Sequence, residues 1–134
     1  MAGYSGTPLV RKLGIRAGAT VALLGVPDSV ERALAPLPDD VRVRTDLRAA
    51  CDVIVFCTDR ASAPDRRAPA LRRALLPDGG LWLCWPKRAS GRPTDLDFSR
   101  VQARGLALGL VDNKTCAVDE VWSGLRFVVR RADR

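Results

Sequence analysis

The sequence predicts an α/β fold, with a compact, mostly parallel sheet, helices on both faces and a C-terminal antiparallel hairpin strand. Short apolar runs such as "VALLGV" and "VIVFC" are typical of strands that are buried on both sides. Amphipathic segments with helix start and stop residues separate these runs. Strands that alternate with helices require right-handed crossovers, which favour a parallel sheet.

The first half of the chain predicts two helices and three strands. Thr7 and Pro8 indicate a helix cap and a first helical residue, and Gly14 is placed to end that helix. Asp28, with Glu31 three residues later, resembles a capping box that opens a second helix. The strands are the buried runs "TVALLG" and "CDVIVFCTD" and, between them, "VRVRT", whose period of two predicts a half-exposed edge strand.

The second half predicts two more helices and three more strands. Ser62 and Asp65 frame a helix start, and "PDGG" is expected to end that helix before the buried strand "LWLCW". Asp97 precedes a helix whose apolar face is expected to carry Phe98, Val101, Gly105 and Leu108. The last two strands, "TCAVDEV" and "LRFVVRR", are expected to form a hairpin with "WSG" as its turn.

A Rossmann-like sheet with this ending resembles the methyltransferase-type fold, whose sheet also finishes with an antiparallel hairpin strand. The phrase "ALLPDGGLWLCW" is similar to the helix, proline-glycine turn and strand that are common in that superfamily. A length of 134 residues fits one domain. We therefore expect a single Rossmann-like domain over residues 1–134, with an N-terminal helix and cap in residues 1–19 and a tail in residues 130–134.

The composition argues against several kinds of chemistry. The chain contains no histidine, which removes Ser-His and Cys-His nucleophile arrangements and His-ligated zinc sites. The cysteines show no C-x-x-C pair and lie in or beside apolar segments, so we expect inert core thiols and no metal, rather than redox or metal ligands: Cys51, Cys57, Cys84 and Cys116. No apolar run is long enough to cross a bilayer, and we expect a cytoplasmic protein without a membrane partner.

The formal net charge of +7 raises the question of a nucleic-acid partner. Most basic residues are arginines that are scattered among acidic residues, and the chain has few aromatic residues on which bases could stack. Nucleic-acid or protein binding therefore stays as an alternative with weak support. Pairing of the edge strand or the final hairpin with a second copy would give a homo-oligomer.

Candidate ligand-binding residues lie where the predicted parallel strands end, because ligands bind outside the carboxyl ends of such strands. Tyr4, Ser5 and Thr7 are expected to lie over the same edge, whereas Asn113 and Lys114 belong at the opposite end. The candidates are Asp46, Thr58, Asp59, Lys87, Glu120, Trp122, Ser123 and Arg126.

The turn after the first strand decides between classes of cofactor. A dinucleotide site needs a glycine-rich turn whose N–H groups face the phosphates. Here the turn is "GVPDS", in which Pro27 has no N–H and Asp28 places a negative charge near the site. AdoMet carries no phosphate, and Asp46 has about the spacing at which an acid holds ribose hydroxyls, although a capping or solvated Asp46 is the simpler interpretation.

Lys87 follows a buried strand and Pro86, so its ammonium is expected beside Asp59, Glu120 and Arg126. There it could bind a carboxylate or phosphate group, or act as a base if burial lowered its pKa. The alternative is a structural ion pair with one of the two acids. Trp122 is either a ligand wall or a cover for the apolar edge of the sheet.

Three longer motifs carry a family resemblance. "GYSGTPLVRKLGI", "WPKRAS" and "VDNKTCAVDEVWSGLRF" resemble a family of small bacterial proteins known as a domain of unknown function. The resemblance covers nearly the whole chain and implies a Rossmann-like cytoplasmic domain that stands alone, without an established activity or substrate. The position of Arg88 is usually a second lysine in that motif, so a role that needs a neutral amine at this position is not expected.

The favoured hypothesis is a module that binds an unknown small molecule, with a degenerate methyltransferase-like fold and no established catalysis. An active AdoMet-dependent transferase, with Lys87 or Glu120 managing the proton, is the first alternative. The basic nucleic-acid-binding or protein-binding module is the second.

Overall fold

The computed structural model describes residues 6–134. Its helices are α1 (Leu9–Lys12), α2 (Asp28–Ala33), α3 (Ser62–Ala74) and α4 (Phe98–Ala107). Its strands are β1 (Thr20–Leu24), β2 (Arg42–Arg44), β3 (Cys51–Cys57), β4 (Leu75–Pro86), β5 (Leu110–Ala117) and β6 (Trp122–Val129). Two short 3₁₀ turns, Arg88–Ser90 and Arg131–Asp133, follow β4 and β6.

The strands form one six-stranded sheet in the order β2-β1-β3-β4-β6-β5. β1 is parallel to β2 and β3, and β3 is parallel to β4. β6 is antiparallel to both β4 and β5 and is inserted between them, so β5 runs in the same direction as β4. The predicted α/β class, the mostly parallel sheet and the antiparallel C-terminal strand are confirmed.

Two apolar clusters cover the two faces of the sheet. On one face, α3 and α4 contribute Leu71, Ala74 and Val101 to a cluster with inward residues of the strands. On the other face, Leu13 after α1 and Val30 of α2 pack with Trp82 and its neighbours. The indole N–H of Trp82 donates to the Leu13 carbonyl oxygen at 3.0 Å, which ties the N-terminal segment to the middle of the sheet. No helix within residues 6–134 has the length and apolar character that a membrane span requires.

The predicted start signals of three helices differ from the observed ones. α1 spans a single turn from Leu9, and Pro8 rather than Thr7 is its N-cap. α2 begins at Asp28 itself, after Pro27, without a side-chain cap. α3 has Ala61 as its N-cap, and the Ala61 N–H donates to the Asp95 carboxylate at 2.8 Å. A residue that is distant in sequence thus does the capping that a local pattern was expected to do.

The start of α4 agrees with its pattern, but one of its predicted core residues does not. Asp97 is the N-cap of α4, and its carboxylate accepts from the Arg100 N–H at 2.8 Å. Val101 and Gly105 are buried, as the apolar face predicts, whereas the Phe98 side chain is 43% exposed. Phe98 is the first residue of the helix and extends past the sheet that Val101 covers.

Two turns were misplaced by the sequence pattern. "PDGG" lies inside β4, where the pairing with β3 jumps from Leu75 to Gly80 and the intervening residues bulge. "WSG" begins β6, and the hairpin turn lies before it. The reason is Asp119, whose carboxylate accepts from the N–H groups of Val121 and Trp122 at 2.8 and 2.7 Å and so closes the turn earlier.

Candidate ligand-binding site at the carboxyl edge

The carboxyl ends of β1, β2, β3, β4 and β5 lie at one edge of the sheet, together with the start of β6. We call this the carboxyl edge, and the opposite side the amino edge. The carboxyl edge is where ligands bind in open α/β sheets. Tyr4 and Ser5, which were expected to lie over it, are outside the described residues.

The turn after β1 is shaped by close packing. Gly25 has a φ of +63°, and a Cβ at this position would lie 2.5 Å from the Cys57 carbonyl oxygen at the end of β3. Glycine is therefore required by the neighbouring strand. The adjacent depression, lined by Gly25, Glu31, Thr45 and Arg67 among others, has a volume of about 330 Å³. That volume is near the lower limit of the roughly 300–1,000 Å³ typical of small-molecule sites.

Asp46 is held by its own neighbours after β2. Its Oδ1 accepts from the Arg48 N–H at 3.0 Å and from Nε and Nη2 of Arg44 at 3.2 and 2.9 Å. The hydrogen bond from the Arg48 amide, followed by those from the Arg44 guanidinium, lowers the pKa of Asp46. Asp46 does not line the depression beside Gly25. These contacts form a local turn that engages Oδ1 of the carboxylate, so Asp46 would offer a ribose only its other oxygen.

Thr58 and Asp59 follow β3, and Asp59 makes contacts with the loop before α4. The Thr58 Oγ1 accepts from the Arg60 N–H at 3.1 Å, and the Asp59 carbonyl oxygen accepts from the Thr94 hydroxyl at 2.7 Å. The Asp59 carboxylate lies 3.4 Å from an Arg92 guanidinium nitrogen, in an ion pair that is exposed to solvent. Asp59 thus pairs with Arg92 and not with Lys87.

Lys87 fastens the hairpin turn to the end of β4. Its backbone N–H donates to the Val121 carbonyl oxygen and its Nζ to the Asp119 carbonyl oxygen, both at 2.7 Å. No ion pair joins Lys87 to Asp59 or Glu120 within residues 6–134. An ammonium has three donor hydrogens, so two remain for another partner.

The start of β6 places Trp122 and Ser123 differently from a turn. Trp122 is 4% exposed and packs in the cluster that includes Val118, while the Arg92 guanidinium lies 5.1 Å from the centre of its ring. Trp122 therefore covers the apolar edge of the sheet. Ser123 is half-buried and faces a larger cleft. Glu120 is exposed on the turn.

That larger cleft, which we call the β4–α4 cleft, has a volume of about 680 Å³. Its apolar part contains Trp85, Pro86 and the exposed Phe98. Its basic residues come from the end of β4, the following loop and α4, and they are Lys87, Arg88, Arg92 and Arg100.

The acidic residues of the cleft are engaged in capping. The Asp95 carboxylate accepts from the Ala61 N–H, and the Asp97 carboxylate accepts from the Arg100 N–H, both at 2.8 Å. Four basic residues face two acidic ones in the lining. The β4–α4 cleft therefore combines a net positive charge with an apolar wall.

Arg126 lies at the amino edge, which corrects its expected place beside Lys87. β6 runs antiparallel, and Arg126 pairs with Trp82 in the middle of β4. Its guanidinium extends over Gly80, where a Cβ would lie 2.5 Å from its Nε. Lys114, the partner of Arg126 on β5, lines the same depression at the amino edge.

The candidate ligand-binding residues of the sequence analysis did not include Arg88, Arg92, Phe98 or Arg100. The pattern that could have indicated them is the run "KRASGRPTDLDFSR", in which four basic residues and an aromatic follow directly on a buried strand. The Arg88 guanidinium has no hydrogen bond or ion pair within residues 6–134, and the residue is exposed.

The thiols give no reactive centre. Cys57, Cys84 and Cys51 are buried, and a hydrogen bond between Cys84 and Cys57 that favours the protonated Cys84 thiol, together with burial, raises the pKa of Cys84. A thiol with a raised pKa is a poor nucleophile because less of it is thiolate. Within the described part of the chain, no three His, Cys, Asp or Glu side chains are grouped so that they could hold a metal ion.

Comparison with solved structures identifies the fold. The chain is similar to a SAM-dependent methyltransferase from Aquifex aeolicus, with a TM-score of 0.65 and 14% identity over 91% of this chain and 88% of the other. It is also similar to the ribosomal protein L11 methylase from Lactobacillus delbrueckii subsp. bulgaricus (TM-score 0.62, 13% identity, 92% and 75% of the two chains). A TehB-like SAM-dependent methyltransferase from Corynebacterium glutamicum gives a TM-score of 0.54 and 16% identity over 96% and 91% of the two chains.

Sequence comparisons give no further assignment, since no protein-family model matches and no curated protein is significantly similar. The identities to the solved structures are too low to carry over residues or activities. The chain has a methyltransferase-like Rossmann fold.

Proposed function

We propose that the protein is a ligand-binding module with a methyltransferase-like fold that takes a small organic acid in the β4–α4 cleft and transfers no methyl group. The observation that carries the proposal is the composition of this cleft, where Lys87 and Arg88 lie beside the exposed ring of Phe98. A carboxylate with an apolar body matches both features, because the cations bind the carboxylate and the ring contacts the body.

The partners of the charged side chains in the cleft support the binding of an anion from outside the chain. Asp95 and Asp97 are engaged as helix caps, and Arg92 is paired with Asp59. The Lys87 ammonium keeps two donor hydrogens, and the Arg88 guanidinium has no hydrogen bond or ion pair within the described residues. A ligand carboxylate would add hydrogen bonds to these two residues without breaking a contact of the fold.

The second candidate is an AdoMet-dependent transferase, which the likeness to solved SAM-dependent methyltransferases favours. Against it stand Pro27, which offers no N–H, and Asp46, whose Oδ1 already accepts three hydrogen bonds. We also propose that the chain belongs to the small bacterial family that its three motifs resemble, whose implied fold agrees with the one described above.

A thermal-shift titration separates the two candidates. The probes are phenylacetate, its neutral analogue phenylacetamide, AdoMet and S-adenosylhomocysteine. A ligand at 100 times its dissociation constant stabilises the folded state by about 2.7 kcal/mol, which raises the midpoint by several degrees. We expect a rise with phenylacetate and none with phenylacetamide or AdoMet.

Two variants locate the binding. Arg88→Ala removes an exposed cation that has no hydrogen bond or ion pair within residues 6–134, so the shift with phenylacetate should fall while the ligand-free midpoint stays the same. Arg66→Ala, which removes an exposed charge on α3, is the matched control and should keep the shift. A shift with AdoMet that Asp46→Ala abolishes would establish the second candidate instead. Equal shifts with the acid and the amide would contradict the proposed recognition of a carboxylate.

A further inference from the structure

A second concave surface lies at the amino edge of the sheet, opposite the carboxyl edge that carries the β4–α4 cleft. It has a volume of about 640 Å³ and is formed by α1 and the loop that follows it, together with the starts of β1 and β3, the bulge of β4 and the middle of β5 and β6. We call it the amino-edge cavity. Five basic residues and two acidic residues line it, and the basic ones are Arg11, Lys12, Arg16, Lys114 and Arg126.

Arg126 is, with Lys12, one of the two cations of the cavity that are not exposed. Its side chain is half-buried, and its guanidinium lies over Gly80, whose missing Cβ leaves the space that the guanidinium occupies. The preceding residue, Gly79, lies close to β3, since a Cβ there would be 2.8 Å from the Asp52 carbonyl oxygen. The two glycines of the β4 bulge therefore allow the close approach of β3 and of the Arg126 side chain beside the cavity.

The guanidinium of Arg126 lacks a compensating negative charge. Its hydrogen bond to a side chain is a long one, from Nη1 to the Asn113 amide oxygen at 3.4 Å. Within residues 6–134, no carboxylate lies at ion-pair distance from Arg126 or from Lys114. Burial, and then the nearby charges of Arg134 and Arg16, lower the pKa of Arg126. Partly buried charges are ordinarily paired, so this arrangement is costly for the protein alone.

The two acids of the cavity offset only part of these charges. One oxygen of the Asp52 carboxylate accepts from the Thr20 N–H at 2.9 Å, which fixes it at the start of β1. Asp78 is exposed on the β4 bulge. The remaining excess of positive charge comes from three separate segments of the chain that converge on one concavity.

We infer that the amino-edge cavity is a binding site for a small polyanion that carries two or more phosphate groups. The convergence of several cations favours a ligand with several negative charges. A concave site favours a small molecule over a duplex or a long strand. No aromatic side chain of the described residues lines the cavity, so bases would have no surface on which to stack.

Calorimetric titration with inorganic tripolyphosphate at low salt tests the inference. We expect saturable binding of one ligand per chain, weakened about tenfold or more in Arg126→Gln because a desolvated charge contact is lost. Lys114→Gln, at an exposed position, should weaken binding as well. Gly80→Ala should do the same without removing a charge, because the new Cβ displaces the guanidinium.

The controls separate a built site from general charge attraction. Arg66→Ala lowers the net charge by the same amount on the exposed side of α3 and should leave the affinity unchanged. Arg126→Gln should have a thermal midpoint equal to or above that of the wild type in the absence of the ligand, since an unpaired charge is removed. A comparison with ATP identifies the source of the phosphates: equal affinity indicates recognition of the phosphate chain alone, and tighter binding indicates a nucleotide.

Four outcomes would overturn the inference. One is equal weakening in Arg66→Ala and Arg126→Gln, and another is loss of folding in Arg126→Gln while Lys114→Gln binds normally. The third is tight binding of an oligonucleotide that tripolyphosphate does not displace, which would assign the surface to nucleic acid. Weakening in Arg88→Ala as large as that in Arg126→Gln would place the polyphosphate in the β4–α4 cleft and would also overturn it.

Discussion

Single residues decide what the carboxyl edge can bind. Gly25 has the position of a cofactor-turn glycine, yet the Cys57 carbonyl oxygen explains it without a ligand. Asp46 has the spacing of a ribose-binding acid, yet its Oδ1 serves a turn within its own segment. The sequence pattern therefore placed Gly25 and Asp46 at the carboxyl edge. Their packing and hydrogen-bond partners became known only from the three-dimensional structure.

Asp46 carries a pH prediction at this scale. Its pKa is lower in the folded protein than in the unfolded chain, mainly because of the Arg48 N–H. A lowered folded pKa gives stability that is present above the unfolded pKa and is lost as the pH falls through the folded one. The midpoint difference between wild type and Asp46→Asn should therefore be small and positive at neutral pH, should begin to shrink near the unfolded pKa of about 4, and should vanish only below the lower folded pKa.

Thermal scans between pH 2 and pH 7 measure this difference. Asp39→Asn, at an exposed acid in the loop before β2, is a suitable comparison. A difference that grows as the pH falls would mean that the Asp46 hydrogen bonds are not formed.

At the scale of elements, the packing of α4 on β6 depends on one small residue. Gly105 is buried in α4, and a Cβ there would overlap the ring of Phe127 in β6. Alanine is about 1 kcal/mol better than glycine inside a helix, but overpacking of a core costs about 1–3 kcal/mol or more. The steric effect should win, because Phe127 is fully buried and has no room to move.

Gly105→Ala should therefore lower the free energy of unfolding by about 1–2 kcal/mol in a urea titration. Ala103→Gly, at an exposed position of the same helix, should cost about 1 kcal/mol through helix propensity alone. A Gly105→Ala variant that is more stable than the wild type would show that α4 does not lie on β6 at this distance.

Lys87 links the end of β4 to the β5–β6 turn, and its removal should loosen that turn. A hydrogen bond from a charged group contributes about 1.5–3 kcal/mol when buried, and about 1 kcal/mol is expected for this half-buried lysine. Lys87→Met keeps the apolar stem and should speed hydrogen exchange at the amides of residues 119–121. Unchanged exchange there would mean that the Asp119 contact does not stabilise the turn.

These elements also show what sequence patterns could predict. The buried strands were predictable because β1, β3 and the second part of β4 consist of continuous apolar residues. The predicted position of the hairpin turn was wrong because the Asp119 carboxylate accepts hydrogen bonds from the backbone and closes the turn. Asp119 lies two residues before the expected end of the strand. The predicted place of Arg126 was wrong because the hairpin turn lies earlier in the chain than expected. Arg126 is therefore more residues away from the turn, and so further from the carboxyl edge, than the prediction had it.

At the scale of the molecule, positive charge is concentrated in two concave surfaces at opposite edges of the sheet. The β4–α4 cleft has an apolar wall, whereas the amino-edge cavity is lined by five basic residues, among them Arg126, whose guanidinium lies over Gly80. The total charge of +7 can be read from the sequence, but this division cannot. The amino-edge cavity gathers residues from distant segments, and the basic run of residues 87–100 lines a cleft only when the packing of β4 and α4 is known. The fold class followed from local patterns, and the two sites follow from topology.

The central claim is that the carboxyl edge binds a small organic acid in the β4–α4 cleft rather than AdoMet beside β1. The most direct test is a two-dimensional ¹H–¹⁵N NMR titration of the full chain with phenylacetate and, separately, with AdoMet. Phenylacetate should shift the amides of residues 87–100, and AdoMet should leave those of residues 25–28 and 46–48 in place. Shifts at residues 25–28 and 46–48 with AdoMet, with the cleft unaffected by phenylacetate, would contradict the claim.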